Sequence, residues 1–384
     1  MAYPDFTLTT GPAMASPKVL SALGEPIVYH YDPSFIAEFR AMQEKVQRVL
    51  QTGYDVVLMQ GEAVLGLEAA IRSVVQQGTP VLNLVSGVFG AEMGHWLRGI
   101  GGEVSEIVVS NNESVDPAAV EEHLEAHQEI EVLTVVHSET PSGTCNDVEA
   151  IGKIAQRYGV LTIVDCASSL VAQDLRPDQW GLDICIASPQ KALAGPAGSC
   201  IVSVSPAAWQ KMEANSGAPR SSFLSLLDWK HKWLEQGAFP YAPSAPDVRG
   251  LSAACDEVLQ DGLAASFERH ALAASACRSG ARAMGLDLWP ASTAIWSPAV
   301  TAVKLPDTVS DGQLCAHIRA KYGVMLSGGA GAGNLARIGH LGPTTRSFYP
   351  AVGLLALGRG LMDLGVSVNL GTGLEAAAEV IAGS

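Results

Sequence analysis

The chain has no C-x-x-C pair, and its seven cysteines, Cys145, Cys166, Cys185, Cys200, Cys255, Cys277 and Cys315, are scattered. An odd, unpatterned set in 384 residues reads as reduced thiols, which excludes a disulfide framework and a zinc site. Basic charge is also scarce. With a formal net charge of −15, neither nucleic acid nor an anionic membrane suits as a partner, because both require a basic surface. No apolar run approaches ~18 residues, so no membrane span is expected. The start, Met1-Ala-Tyr-Pro-Asp, has no basic region leading into an apolar stretch, so no secretory leader is expected. A soluble, cytoplasmic protein follows as an expectation. Repeats, low-complexity tracts and heptads are absent. The run Gly328-Gly-Ala-Gly-Ala-Gly departs from G-x-G-x-x-G and precedes no strong helix, so it reads as a mobile loop and not as a nucleotide cradle. No metal-ligand set is apparent.

What is present is apolar material: 48% of residues are hydrophobic and only 16% charged, enough to fill a large core. The length suggests two domains, by the usual ~100–200 residues each. Between about residues 35 and 205, helical spacing alternates with short apolar runs. Helices are expected over 36–50, 65–75, 92–100, 117–127 and 148–158. Strands are expected over 55–59, 80–85, 104–109, 131–136, 161–164, 184–187 and 200–204. Near-continuous apolar strands separated by helices mark a mostly parallel sheet covered on both faces. Three prolines between Pro240 and Pro246 break the pattern, and helices over 251–259 and 263–284 follow. The remainder mixes strands (299–303, 324–326, 337–340) with helices (311–322, 351–364), as suits a smaller α/β domain packed on the first. The expected division is an arm over 1–12, a large domain over 13–260 and a small domain over 261–384.

Three segments fall at the carboxyl ends of expected strands, where open α/β sheets gather ligands: His137-Ser-Glu-Thr-Pro-Ser-Gly-Thr, Val164-Asp-Cys-Ala-Ser-Ser and Ala187-Ser-Pro-Gln-Lys-Ala-Leu-Ala-Gly. Asp165 ends a very apolar strand, so its carboxylate wants either a cationic partner, such as a protonated ring nitrogen, or a helix terminus to cap. Lys191 lies in a loop of small residues. It is either an ordinary surface lysine or, with its amine kept neutral by burial, a nucleophile toward a carbonyl.

Taken together, Gly11-Pro12, Ser138-Glu-Thr-Pro-Ser-Gly, Val164-Asp-Cys-Ala-Ser-Ser and Ser188-Pro-Gln-Lys-Ala-Leu resemble the class V aminotransferases, of fold-type I, over essentially the whole chain. That resemblance implies a large domain with a mostly parallel seven-stranded sheet and a smaller C-terminal α/β domain. It also implies that Asp165 holds the N–H of a pyridine ring, that Thr140 bonds the ring's phenolic oxygen, and that Lys191 is the Schiff-base lysine and proton shuttle. Phe89, in Ser86-Gly-Val-Phe-Gly, stands where the family stacks an aromatic ring on the pyridine, or is a plain core aromatic. Arg337, in Arg337-Ile-Gly-His-Leu-Gly, matches the arginine that grips the substrate carboxylate, for which a planar guanidinium fork is well suited. A homodimer or homotetramer is implied as well.

The chain departs from the family at the cofactor phosphate. Where relatives have Ser-Gly-His at a helix amino terminus, it has Glu62-Ala63-Val64, while the cofactor-side Gln190 is kept. A carboxylate a few ångströms from a phosphate dianion costs about 4 kcal/mol per charge pair at a surface-like dielectric. A Tyr and a Thr that relatives bring to the phosphate from the partner subunit are also missing from the matching segment, Phe239-Pro-Tyr-Ala242-Pro-Ser. Glu62 is expected either to occupy the anion site itself or to act as an ordinary helix cap. The first alternative resembles family members that take unphosphorylated pyridoxamine as amino donor and pyruvate as acceptor, with no tightly bound cofactor. The second implies pyridoxal phosphate on Lys191 and alanine–glyoxylate or serine–pyruvate exchange. The loop before Arg337, Gly329-Ala-Gly-Ala-Gly-Asn, lacks a second arginine that the first alternative leads one to expect.

Overall fold

The computed structural model describes residues 3–383. The chain opens with β1 (Phe6–Thr7), α1 (Pro17–Leu23) and α2 (Pro33–Leu50). Then come β2 (Asp55–Gln60), α3 (Ala63–Val74), β3 (Pro80–Val85), α4 (Val88–Gly99), β4 (Glu103–Val108), α5 (Pro117–Ala126) and β5 (Val132–Val136). A tight hairpin, β6 (Ser138–Glu139) and β7 (Thr144–Cys145), leads to α6 (Val148–Tyr158), β8 (Leu161–Asp165), α7 (Pro177–Trp180), β9 (Ile184–Ala187) and β10 (Ser199–Val204). Next are α8 (Pro206–Ala214), α9 (Leu226–Asp228), α10 (Ala245–Asp261) and α11 (Leu263–Ala283). The chain closes with β11 (Val300–Lys304), α12 (Asp311–Tyr322), β12 (Val324–Met325), β13 (Leu335–Gly339), α13 (Tyr349–Asp363) and α14 (Leu370–Ala382).

Seven strands form the main sheet in the order β2-β10-β9-β8-β5-β3-β4. All neighbours are parallel except β10, which runs antiparallel to both β2 and β9. β5, β8 and β9 are buried along their full length, as strands covered on both faces must be. Helix ends follow local chemistry. Asp147 caps α6 by accepting from Ala150 N–H, and Gly159 ends it in the left-handed region at φ 70°. The prolines near 240–246 do not delay α10. Ser244 caps it and Pro246 sits in its first turn, where no N–H is required, so the helix begins six residues before the expected start at 251.

A second core gathers Leu8, Ala276, Met284, Val303, Leu314, Ile318, Ile338, Leu354 and Leu361. Its two short sheets pair β11 with β13 antiparallel and β1 with β12 parallel. The helix α14 lies beyond the last expected helix, 351–364. Its glycines permit close packing: a Cβ on Gly373 would lie 2.7 Å from the Gly280 carbonyl of α11. Among the described residues, no helix is long and apolar enough to cross a membrane.

Candidate active site

The chain returns from β5, β8 and β9 on the same edge of the sheet, and each return delivers one of the expected segments. Asp165 is the last residue of β8 and only 7% exposed. Its Oδ1 accepts from Ala167 N–H at 2.8 Å, and it has no salt-bridge partner among the described residues. Burial pushes its carboxyl up to about 6; the Ala167 bond and the charge of Lys191 pull back, and Glu62 adds to the rise. A buried carboxylate with one neutral donor is incompletely compensated, so the site offers a seat for a cation.

Lys191 follows β9 and is half-buried. Burial holds its ammonium below the usual lysine range, against the attraction of Glu62 and Asp165 and with the help of Arg337. Its Nζ donates to the Thr10 carbonyl at 3.5 Å. The adjacent Gly11 has φ +121°, and a Cβ there would come within 2.7 Å of Nζ. The lysine is thus roofed by backbone from the amino-terminal arm. That arm is tied down at both ends, since Gly339 N–H donates to Leu8 O and Ala13 N–H to Gln190 O.

Glu62 is the N-cap of α3. Its Oε2 accepts from Val64 N–H at 3.1 Å, and Oε1 accepts from Gln190 Nε2 at 3.5 Å. Gln190 is itself buried and held through Ser188 Oγ at 3.0 Å. The exposed carboxylate of Glu62 therefore lies on the first-turn N–H that would otherwise bind an anion.

Arg337, on β13, reaches the same place from the second core. It is 6% exposed; its Nε donates to Gly328 O and its Nη1 to Thr140 O at 2.8 Å. Burial pulls its guanidinium down to about 10, still charged at neutral pH. Its Nη2 makes no hydrogen bond among the described residues, so one prong of the fork is open to a carboxylate. Phe89, in the first turn of α4, keeps its ring 38% exposed, unlike a core aromatic.

The structure thus joins Glu62 to Gln190 and Thr140 to Arg337 by direct bonds, and it places Asp165, Lys191, Glu62 and Arg337 within electrostatic reach of one another. Phe239 lies elsewhere, in the core, stacked on Trp233 at 4.3 Å. Two contributors went unassigned in the sequence. Gly11 stood in a quoted motif without a role. Glu139, fully buried, sits in the segment that carries Thr140, and its signal was a carboxylate three residues past the end of an apolar strand. Among the described residues, no group of His, Cys, Asp or Glu could hold a metal ion.

A pyridoxal ring would find a carboxylate for its nitrogen at Asp165 and an amine for its carbonyl carbon at Lys191. One consequence is measurable. Burial raises the Asp165 carboxyl to about 6 from an ordinary value of 3.8, so its contribution to stability is full below about 4 and is lost as pH rises through about 6. A cationic ring nitrogen offsets that loss. Stabilisation by added pyridoxal should therefore grow by up to about 3 kcal/mol between pH 4 and 7, from a shift of about two units. Buried His137 and His270, both lowered to about 4 by burial, titrate in the opposite sense but in both states. Thermal unfolding with and without pyridoxal, for wild type and Asp165→Asn, checks this. Equal pH slopes in the two proteins would rule it out.

Comparison with known proteins agrees with the fold. A crystal structure of pyridoxamine–pyruvate aminotransferase from Mesorhizobium loti superimposes with a TM-score of 0.97 at 42% identity, covering 100% of this chain and 98% of that one. The pyridoxamine–pyruvate transaminase of Mesorhizobium japonicum is 43% identical over 382 residues, 99% of this chain and 97% of its own. The L-aspartate–glyoxylate aminotransferase of Paracoccus denitrificans is 31% identical over 96% of this chain and 94% of its own. The model of the family described as aminotransferase class V matches residues 18–342. Class V aminotransferases depend on pyridoxal phosphate, which corrects the expectation of a site without a tightly bound cofactor. The alternative cofactor expectation, pyridoxal phosphate on a lysine, fits that dependence, and Lys191 offers a half-buried amine in the electrostatic reach of the buried Asp165 carboxylate. The fold, the strand-end site and the match over residues 18–342 together establish that this chain belongs to the class V aminotransferases.

Proposed function

We propose that this aminotransferase moves the amino group of pyridoxamine to pyruvate, giving pyridoxal and L-alanine, a step in the breakdown of vitamin B6. The observation that carries this choice is Glu62. Its carboxylate occupies the anion-binding turn of α3, where a hydroxymethyl group finds an acceptor and a phosphate ester meets a like charge. The likeness to pyridoxamine–pyruvate transaminase over 99% of the chain supports the same donor and acceptor.

A bound B6 ring supplies an electron sink that makes a carbon-bound proton next to the transferred nitrogen exchangeable. The chain does the rest. Asp165 keeps the ring nitrogen protonated, and Thr140 fixes the phenolic edge. Phe89 covers one face and shields it from water. Arg337 takes the carboxylate of the keto acid with its open Nη2 prong, which orients the carbonyl carbon. Lys191 Nζ, whose ammonium form is disfavoured by burial, carries the proton between C4′ and the α-carbon, first as base and then as acid. Seven free cysteines suit a reducing, cytoplasmic setting, and we place the enzyme there as a homodimer or homotetramer.

The test is a steady-state comparison of pyridoxamine with pyridoxamine phosphate as donors, each against pyruvate, oxaloacetate and glyoxylate. The expected result is the highest kcat/KM for pyridoxamine with pyruvate. Preference for the phosphorylated donor, or for glyoxylate, would transfer the chain to the alanine–glyoxylate type.

A further inference from the structure

Most helices here are capped by a neighbour in sequence. Asp116, Asp147 and Ser205 each bond an N–H two or three residues ahead. The helix α4 is different. Its N-cap is Gly87, which has no side chain to offer. The first-turn donors are taken instead by Glu139, from the β5 return some fifty residues later: Gly90 N–H donates to Oε1 at 2.8 Å and Phe89 N–H to Oε2 at 3.3 Å. Glu139 is 0% exposed and has no basic partner among the described residues. A local Ser or Asp at position 87 would have met the same donors without burying a carboxyl, which is costly. The sequence also makes room for it. A Cβ on Gly87 would fall 2.8 Å from Glu139 Oε2, and one on Gly90 would fall 2.9 Å from the Leu84 carbonyl.

Both N–H groups that Glu139 holds belong to the turn that presents Phe89, and the next residue after Glu139 is Thr140. One buried side chain therefore ties the residue expected on the face of the ring to the residue expected at its edge. We infer that Glu139 is a positioning residue for the B6 ring, acting through Phe89. It does not touch the substrate; it fixes the first turn of α4 so that the Phe89 ring stays over the pyridine. Burial pushes its carboxyl up to about 7, the two N–H bonds hold it down in part, and Asp165 raises it further. One N–H donor to each oxygen matches the acceptor-only carboxylate.

This inference rests on the ring placement proposed above. It is tested with Glu139→Ala, Glu139→Gln, Phe89→Leu and the double variant Glu139→Ala/Phe89→Leu. Two quantities are read: the dissociation constant for pyridoxal, from its absorbance, and amide hydrogen exchange over residues 87–91. Glu139→Ala should free the exchange of these amides and weaken pyridoxal binding by roughly 3- to 10-fold, the worth of one aromatic stacking contact. Glu139→Gln keeps one acceptor and should fall between, which preserves the test if the alanine variant does not fold. The double variant should bind no worse than Phe89→Leu alone, because the clamp has nothing left to position. Additive losses, or faster exchange without weaker binding, would leave Glu139 a structural cap and overturn the inference alone. Wild-type protein that fails to bind pyridoxal would overturn the functional reading as well.

Discussion

Changing Lys191 to alanine should lower L-alanine formation from pyridoxamine and pyruvate on the order of 10⁴-fold, the upper range for loss of a positioned acid–base group. Three features make this site unforgiving. Among the described residues, the amine is the only lysine nitrogen whose charge acts on the Asp165 carboxyl. Its ammonium is disfavoured by burial, so it starts nearer the protonation state a base requires. Backbone at Thr10 and Gly11 closes over it, which leaves little space for water to act as a substitute. Lys191→Arg should be equally inactive, because a guanidinium keeps its proton at any working pH. A small primary amine such as methylamine should restore part of the turnover in Lys191→Ala and none in Lys191→Arg, where the cavity stays filled. Turnover of Lys191→Ala within tenfold of wild type, at unchanged thermal stability, would show that the proton moves by another route and that Lys191 is not the acid–base group.

The α/β layers were legible because apolar periodicity is a property of each element alone. Helices 148–158 and 311–322 and strand 184–187 were read with the bounds that the structure shows. Direction was not legible: Ser199–Val204 has the same apolar run whether it lies parallel or antiparallel, and only its neighbours show that it is reversed. Short or glycine-rich helices were missed where tertiary contact outweighs propensity. Pro17–Leu23 is a partly exposed helix of only seven residues, and Leu370–Ala382 is helical because its small residues pack on α11. At the site, Asp165 and Lys191 each had an ordinary reading alone, a helix cap and a surface lysine, and only the resemblance of their segments taken together singled them out; the structure sets Asp165 at the end of β8 and Lys191 just after β9. What could not be read was the pairing. Nothing in the spacing of Gly87 and Glu139 says that one leaves a space which the other fills, because that relation exists only once β3 and β5 lie side by side.

Changing Glu62 to serine should shift the donor preference toward pyridoxamine phosphate by roughly 100-fold in the ratio of kcat/KM values. Full repulsion between a carboxylate and one phosphate charge at 4 Å is about 4 kcal/mol at an effective dielectric of 20. Glu62 is exposed, so water and salt screen this and a remainder of roughly 2 to 3 kcal/mol is the reasonable figure. Serine isolates the charge, since it can still cap α3 through Val64 N–H and so leaves the helix start in place. It also frees Gln190 Nε2, now held by Glu62 at 3.5 Å, to donate to a phosphate oxygen. Glu62→Gln should give most of the same shift, because it keeps the shape and removes the charge. In both variants kcat with pyridoxamine should change little, since the effect acts at the end of the ring remote from Lys191 and Arg337. Raising the ionic strength should narrow the gap in wild type and leave it nearly constant in Glu62→Gln. If neither substitution moves the ratio by more than threefold, electrostatics at this turn does not select the donor, and Glu62 caps its helix and nothing more.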